Sequence, residues 1–227
     1  MCGRCVVDIS EQQFAEIFPG AVLSPELGDS SWNLAPTQHL PILVMSHKQP
    51  GQRRVELARW SLTPPWSPTL QTSFPTFNAR AETAATKATW QDPLRSRRCV
   101  VIMNGFYEWS GSQGKRIPHY IQAPHQPMLV AGLYGWWRDP EAEGPDAWHL
   151  TAAVLTDEAE GPVSALHDRM PVFIEEAHID AWIDPANPGA GSLLEMVREG
   201  GRRIARQLRI DEVAPLKGDG PHLTDPV

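Results

Sequence analysis

Apolar residues along this chain fall in short runs, seldom at the three-to-four-residue spacing of a helix. Ile42–Ser46, Val55–Trp60, Cys99–Met103, Phe106–Trp109, His119–Gln122, Met128–Ala131 and Trp148–Leu155 are strand-like, rich in β-branched and aromatic side chains. Ser10-Glu11-Gln12-Gln13 is a capping box, with Ile9 and Phe14 placed for a hydrophobic staple, so a short helix should run over residues 10–17 until Pro19-Gly20 ends it. Ala81–Ala88, Glu175–Trp182 and Ser192–Arg198 are further helical candidates, and Ser110-Gly111-Ser112-Gln113-Gly114 is a hairpin-type turn. The 22 prolines break the remainder into loops, which excludes long helices. Met1–Asp8 is too short for anything except an extended segment. The pattern predicts an α+β fold, with a curved, barrel-like, mostly antiparallel β core and a few short helices. Residues 184–191 form a flexible connection, but too little chain follows for an independent core, so residues 1–227 are expected as one domain, with 184–227 packed on it.

Composition adds limits. The 41% apolar content, with nine Trp, is ample for one core. No apolar run approaches the roughly 20 residues of a bilayer span, and the N-terminus turns polar by residue 8, so a cytoplasmic protein is expected, without a leader or membrane partner. Three cysteines do not suit a disulfide framework. Cys2-x-x-Cys5 lacks the second ligand pair of a zinc site and sits at the terminus rather than at a helix start, so neither a metal nor a thioredoxin-like role is expected. The net charge of −7 argues against nucleic acid until its distribution is considered. Residues 1–110 hold ten Lys/Arg against nine Asp/Glu, and the acidity lies in residues 111–227, with ten against eighteen. Charge alone neither supports nor excludes DNA.

The chemistry begins at Met1-Cys2-Gly3-Arg4. A small second residue permits removal of the initiator Met, which leaves an α-amine beside the Cys2 thiol. The amine condenses with an aldehyde to an imine, and the thiol then closes a thiazolidine ring. An α-amine with a pKa of about 7.7–8.0 is partly neutral and reactive near pH 7, and Arg4 is placed to favour the thiolate. The plain alternative is that Cys2 is an incidental small residue. Phe77-Asn78-Ala79-Arg80-Ala81-Glu82-Thr83 sets an amide and a guanidinium two residues apart before a helix: Asn78 is suited to orient an amine or ring oxygen, and Arg80 to clamp a phosphate, unless this is a polar turn with Glu82 starting the helix. Gly105-Phe106-Tyr107-Glu108-Trp109 places one carboxylate among aromatics, as a proton shuttle or merely on a solvated strand face. His167-Asp168-Arg169-Met170-Pro171 joins a near-neutral titrating group to a phosphate-binding type.

MCGR, Trp32-Asn33-Leu34-Ala35-Pro36-Thr37, Arg59–Trp66, FNARAET, NGFYEW, Ala131-Gly132-Leu133-Tyr134 and Ala165–Val172 together, in order and spacing over roughly residues 2–175, resemble the SOS-response-associated peptidase-like (SRAP) family. The resemblance implies covalent capture of abasic sites in single-stranded DNA. Cys2 matches the cysteine that joins the ring-opened sugar, Asn78 the amide that holds the linkage and Glu108 the acid–base residue. His167 matches the histidine that assists ring opening and crosslink reversal. Arg4, Arg80 and Arg169 match the basic residues of the DNA groove, Thr156 a backbone-contacting position, and Trp66 and Trp109 are stacking or wedge candidates unless they are core packing. The family usually has Gly where Ser61 stands, Pro-Ala-Asp in place of Ile102-Met103-Asn104, and often an aromatic at Cys5. The implied protein is a monomer without cofactor or metal, nucleoid-associated when bound to DNA. Two other readings stay open: a hydrolase with an N-terminal Cys nucleophile, and a noncovalent single-strand-binding module. Residues 192–227 carry Arg198, Arg202, Arg203, Arg206 and Arg209, expected as a solvated face.

Overall fold

Apolar runs that bury both faces become the central strands of a closed barrel. The computed structural model describes residues 2–112, 114–124 and 127–227. In chain order its elements are β1 (Cys5–Val7), α1 (Glu11–Ile17), β2 (Val22–Leu23), β3 (Ser31–Leu34), β4 (His39–Met45), β5 (Arg53–Trp60), β6 (Asn78–Arg80), α2 (Ala81–Ala84) and α3 (Ala88–Ser96). There follow β7 (Arg98–Met103), β8 (Gly105–Ser110), β9 (Ile117–Gln122), β10 (Met128–Arg138), β11 (Trp148–Glu158), β12 (Arg169–Pro171), α4 (Ile179–Ile183), α5 (Ala190–Ala205) and β13 (Arg209–Glu212). The larger sheet runs β12-β11-β10-β7-β4-β5-β2, and a parallel pairing of β5 with β11, Arg59 opposite Thr151 and Trp60 opposite Ala152, closes five of these strands into a ring. A second, antiparallel sheet, β13-β9-β8-β1-β3, lies beside it.

The alternation along β7 shows why its sequence reads as continuously apolar. Val100 and Ile102 join the cluster beneath the helices with Phe14, Trp90, Leu94, Trp182, Leu193 and Val197. Cys99, Val101 and Met103 join the other cluster, with Cys2, Cys5, Trp60, Phe106 and Val154. A strand covered on both sides needs no polar face. Fully burying each such side chain is worth about 1.5–3 kcal/mol.

The capping box forms as expected: Ser10 accepts from the Gln13 backbone N–H, and Gln13 accepts in turn from the Ser10 N–H. Six of the seven strand-like runs lie within strands and the seventh, Ile42–Ser46, overruns β4 by one residue; β8 and β9 are an antiparallel pair with Ser110 opposite Ile117, and Gln113, within the expected turn, lies outside the described residues. The helices differ more. The expected helix over 81–88 is two, because Ala85–Lys87 turn before α3 restarts. The segment from Glu175 begins as a single 3-10 turn before α4. The largest departure is α5, sixteen residues long where only 192–198 was expected and long helices were excluded. Prolines stop at Pro188 and resume at Pro215, so nothing interrupts that stretch.

Residues 184–191 are likewise not a loose connection. Arg98 is buried, and its guanidinium donates to the carbonyls of Asp184 and Asn187 as well as those of Leu94, Arg95 and Trp182. The arginines along and just after α5 are paired rather than free, although Arg203 and Arg206 remain exposed. Arg198 grips buried Asp157 of β11 with both Nε (2.7 Å) and a terminal nitrogen (3.0 Å), Arg202 and Arg206 hold Glu160, and Arg203 holds Glu175. These pairs bolt α5 to the barrel and leave little free positive charge. Among the described residues no helix is long and apolar enough to cross a membrane.

Burial pushes the Asp157 carboxyl upward, but hydrogen bonds from Arg198 and the Glu158 N–H outweigh it and hold the group below its usual range. Its contribution is therefore present above the unfolded carboxylate value of about 3.9 and is lost as pH falls through the lower folded value. Arg198→Ala should cost about 2–3 kcal/mol in urea denaturation at pH 7, because a buried carboxylate keeps only the Glu158 N–H and the more distant Arg202. Arg203→Ala, on an exposed pair, should leave the midpoint near wild type.

Candidate functional site

The N-terminal segment is held as a strand between two others. Cys5 stands opposite Leu34 of β3 and Phe106 of β8, Val6 opposite Gly105, and the Tyr107 N–H donates to the Arg4 carbonyl at 2.9 Å. Continuing that register by two residues sets Glu108 opposite Gly3. Gly105 is required for the approach: a Cβ there would collide with the ring of Tyr120. Cys2 and Cys5 are fully buried, and Glu108 is only 3% exposed.

Asn78 reaches Cys2 from the other direction. It opens β6, which pairs in parallel with β11, Asn78 opposite Val154 and Arg80 opposite Thr156. Its side-chain N–H donates to the Cys2 carbonyl at 2.8 Å, while its Oδ1 is buried and accepts no hydrogen bond from the described residues. Burial pushes the Cys2 thiol well above its ordinary value, and the neighbouring Cys5 and Glu108 push the same way. Arg4 was expected to favour the thiolate. Its backbone does so slightly, but its guanidinium turns to the Asn33 carbonyl at 3.4 Å, and desolvation prevails. With Met1 attached, the Cys2 nitrogen is an amide and its sulfur a buried, protonated thiol.

His167 enters from the opposite flank of β11. Strand β12 pairs with β11, Pro171 opposite Thr156 and Arg169 opposite Glu158, so the segment ahead of it follows the same strand end that β6 approaches from the other edge. His167 is partly exposed; its Nδ1 lies 2.9 Å from the Arg169 backbone N–H and 2.7 Å from Asp168 Oδ1. Leu166 and Met170, on either side, belong to the apolar cluster that contains Cys2.

The residues assigned to DNA contact separate into two groups. Arg80 and Trp66 are exposed, Trp66 by 59%, and Arg4 is half-buried. Arg169 and Thr156 are buried. The Arg169 guanidinium makes a two-pronged pair with Glu82 and donates to the Thr156 carbonyl at 2.7 Å, so its placement differs from that of a phosphate clamp at the surface. The Thr156 hydroxyl faces the Ala79 carbonyl at 3.5 Å. Trp109 packs half-buried against the cluster of Val6, Tyr107 and Tyr120. Glu82, read from sequence as a helix starter, is the anchor of Arg169, 87 positions away; no local pattern could signal that pairing. Among the described residues no group of three or more His, Cys, Asp or Glu is arranged to hold a metal.

The sequence profile described as SOS response associated peptidase (SRAP) matches residues 1–215, further than the motifs at 2–175. The chain is 31% identical over 195 residues to the abasic site processing protein YoqW of Bacillus subtilis, covering 82% of each chain. It is 26% identical over 197 residues to the abasic site processing protein HMCES of Gallus gallus, covering 74% of this chain and 58% of that one. A crystal structure of a protein from Bacteroides thetaiotaomicron superimposes with a TM-score of 0.81 over the whole of both chains at 17% identity, which speaks for the fold. By the extent of the profile match and the identity to YoqW, the chain belongs to the SRAP family.

Proposed function

We propose that this chain processes abasic sites in single-stranded DNA by capturing the sugar aldehyde on Cys2. The observation that carries the reading is the convergence on one terminal residue of the Asn78 amide, bonded to the Cys2 carbonyl, and the buried Glu108 carboxylate, close enough to act on the Cys2 thiol. The names of the relatives supply the substrate class.

With Met1 in place neither nucleophile of Cys2 is active. Removal of Met1, by the protein itself or by an aminopeptidase, converts the amide nitrogen to an α-amine. Asn78 Oδ1 is buried with no donor among the described residues, which supports a role in accepting from the α-amine once it is freed. An abasic sugar opens when its C1′–O4′ bond breaks: O4′ takes a proton from His167 and the C1′ hydroxyl gives one to Glu108. The amine adds to the aldehyde, Glu108 returns its proton to the departing hydroxyl, water leaves, and the Glu108 carboxylate then takes the N–H proton of the iminium to give the imine. The thiol adds across C=N, sulfur bonding to C1′ and its proton passing to nitrogen, which closes the thiazolidine. Two bonds to one carbon resist hydrolysis and suppress the β-elimination open to an imine. Exposed Arg80 is placed to hold backbone phosphate and exposed Trp66 to stack on a base, contacts indifferent to sequence. The N-terminal hydrolase reading predicts turnover of amides with no lasting adduct, and a noncovalent binding module predicts no role for Cys2.

A denaturing gel with abasic single-stranded DNA should show a retarded species with mature wild-type protein and none with Cys2→Ala. A wild-type chain that retains Met1 should give none either, and a band from it would refute the role of the α-amine. Cys2→Ser should form an imine that borohydride traps but no stable ring. Asn78→Ala, Glu108→Gln and His167→Ala should each slow capture or reversal, the latter two by about 10²–10⁴-fold at fixed pH. Rates equal to wild type in quenched time courses would remove the residue concerned from the mechanism.

A further inference from the structure

His167 makes a pair of contacts that one nitrogen cannot satisfy in a single protonation state. Its Nδ1 faces a donor, the Arg169 backbone N–H at 2.9 Å, and an acceptor, Asp168 Oδ1 at 2.7 Å. When Nδ1 is bare it accepts from Arg169, and the neutral ring carries its proton on Nε2. When the ring is protonated, Nδ1–H donates to Asp168 and the Arg169 N–H loses that acceptor. The backbone here is not free to drift and relieve the competition. The Ala159 N–H donates to the Asp168 carbonyl at 2.9 Å, and Arg169 is tied by its guanidinium to Glu82 and the Thr156 carbonyl. Of the acidic groups around this corner, Glu82 is held by Arg169, Asp157 by Arg198 and Glu160 by Arg202 and Arg206. Asp168, exposed by 83%, touches the ring with its carboxylate.

We propose that Asp168 is the positioning residue for His167, holding Nδ1–H so that Nε2 can give up its proton and later take it back. The proposal rests on the reading of His167 as the acid–base group of abasic-site processing. The doubly protonated ring passes the Nε2 proton to O4′ as the C1′–O4′ bond breaks. The neutral ring left behind keeps its remaining proton on Nδ1, bonded to Asp168, and exposes a lone pair at Nε2. In reversal that lone pair removes the proton from O4′ as the sugar recloses. Without the carboxylate, the neutral ring settles with Nδ1 accepting from Arg169 and Nε2 protonated, and from that state donation would require an imidazolate. The arrangement follows the logic of a Ser-His-Asp triad, in which the acid fixes tautomer and orientation without itself taking the proton.

Nitrogen-15 NMR of the protein without DNA tests the role of Asp168 independently of the function. On acidification wild-type His167 should gain its second proton at Nε2, the first already resting on Nδ1 against Asp168, and in Asp168→Asn that transition should move to lower pH by about half a unit, the size expected of an exposed ion pair. Asp168→Glu should recover much of the shift. A transition unmoved in Asp168→Asn overturns the proposal, as does a wild-type ring that gains its second proton at Nδ1. With abasic DNA, the acid limb of the capture and reversal rates should move in step with the NMR transition in Asp168→Asn, and a limb that stays put while the NMR transition moves also overturns it. A wild-type protein that forms no crosslink refutes the function instead, and the NMR transition still decides whether Asp168 governs His167.

Discussion

Strand β11 is the constraint on which the rest of the molecule depends, because both of its edges are used in succession along its length. One edge carries β10 and then β12; the other carries β5 and then β6. The two-residue contact with β5 closes the barrel. The next contacts, beyond the closure, bring in the two segments that bear Asn78 and His167. Because strand pairing holds neighbouring backbones about 4.7–4.9 Å apart in a set register, barrel closure and the placement of these segments depend on the same strand. The packing of α5 serves the same strand, since Arg198 neutralises Asp157, the residue after Thr156 on β11.

Cys2 depends on a second pairing, that of β1 between β3 and β8. A terminal residue would ordinarily be frayed and solvated. Here three paired residues suffice to sink Cys2 into the apolar cluster, and the Asn78 amide fixes its carbonyl. Burial has a chemical consequence, for it holds the thiol protonated. In the proposed mechanism the protein supplies little nucleophilic activation of sulfur in advance; it supplies position, with both nucleophiles on one residue and proton carriers beside it.

The charge distribution fits a ligand engaged through few contacts. Most of the arginines that gave the C-terminal segment its basic look are spent on ion pairs within the fold, and Arg169 is consumed by Glu82 and the Thr156 carbonyl. Arg80 remains exposed beside the site. A covalent bond lessens the need for a strongly basic groove, which is consistent with an acidic protein in a family whose relatives are named for DNA lesions.

The amino-acid sequence by itself determined the β-rich class, the seven principal strands and the capped first helix, because period-two burial and capping are local properties. It also determined the family, since MCGR, NAR, GFYEW and HDRMPV are short enough to survive as recognisable words. Tertiary structure alone decided which distant groups meet. Glu82 and Arg169 lie 87 residues apart, Asn78 and Cys2 76, and Arg198 and Asp157 41, and nothing in the intervening chain encodes those contacts. The short strands β2, β3, β6, β12 and β13 escaped for the same reason: two to four residues carry no periodicity, and their partners confer the structure. The helix α5 outgrew its expected length because packing of Leu193, Leu194 and Val197 on the barrel, with Arg198 clamped to buried Asp157 and Arg202 and Arg203 paired with Glu160 and Glu175, outweighs two consecutive glycines in its sequence.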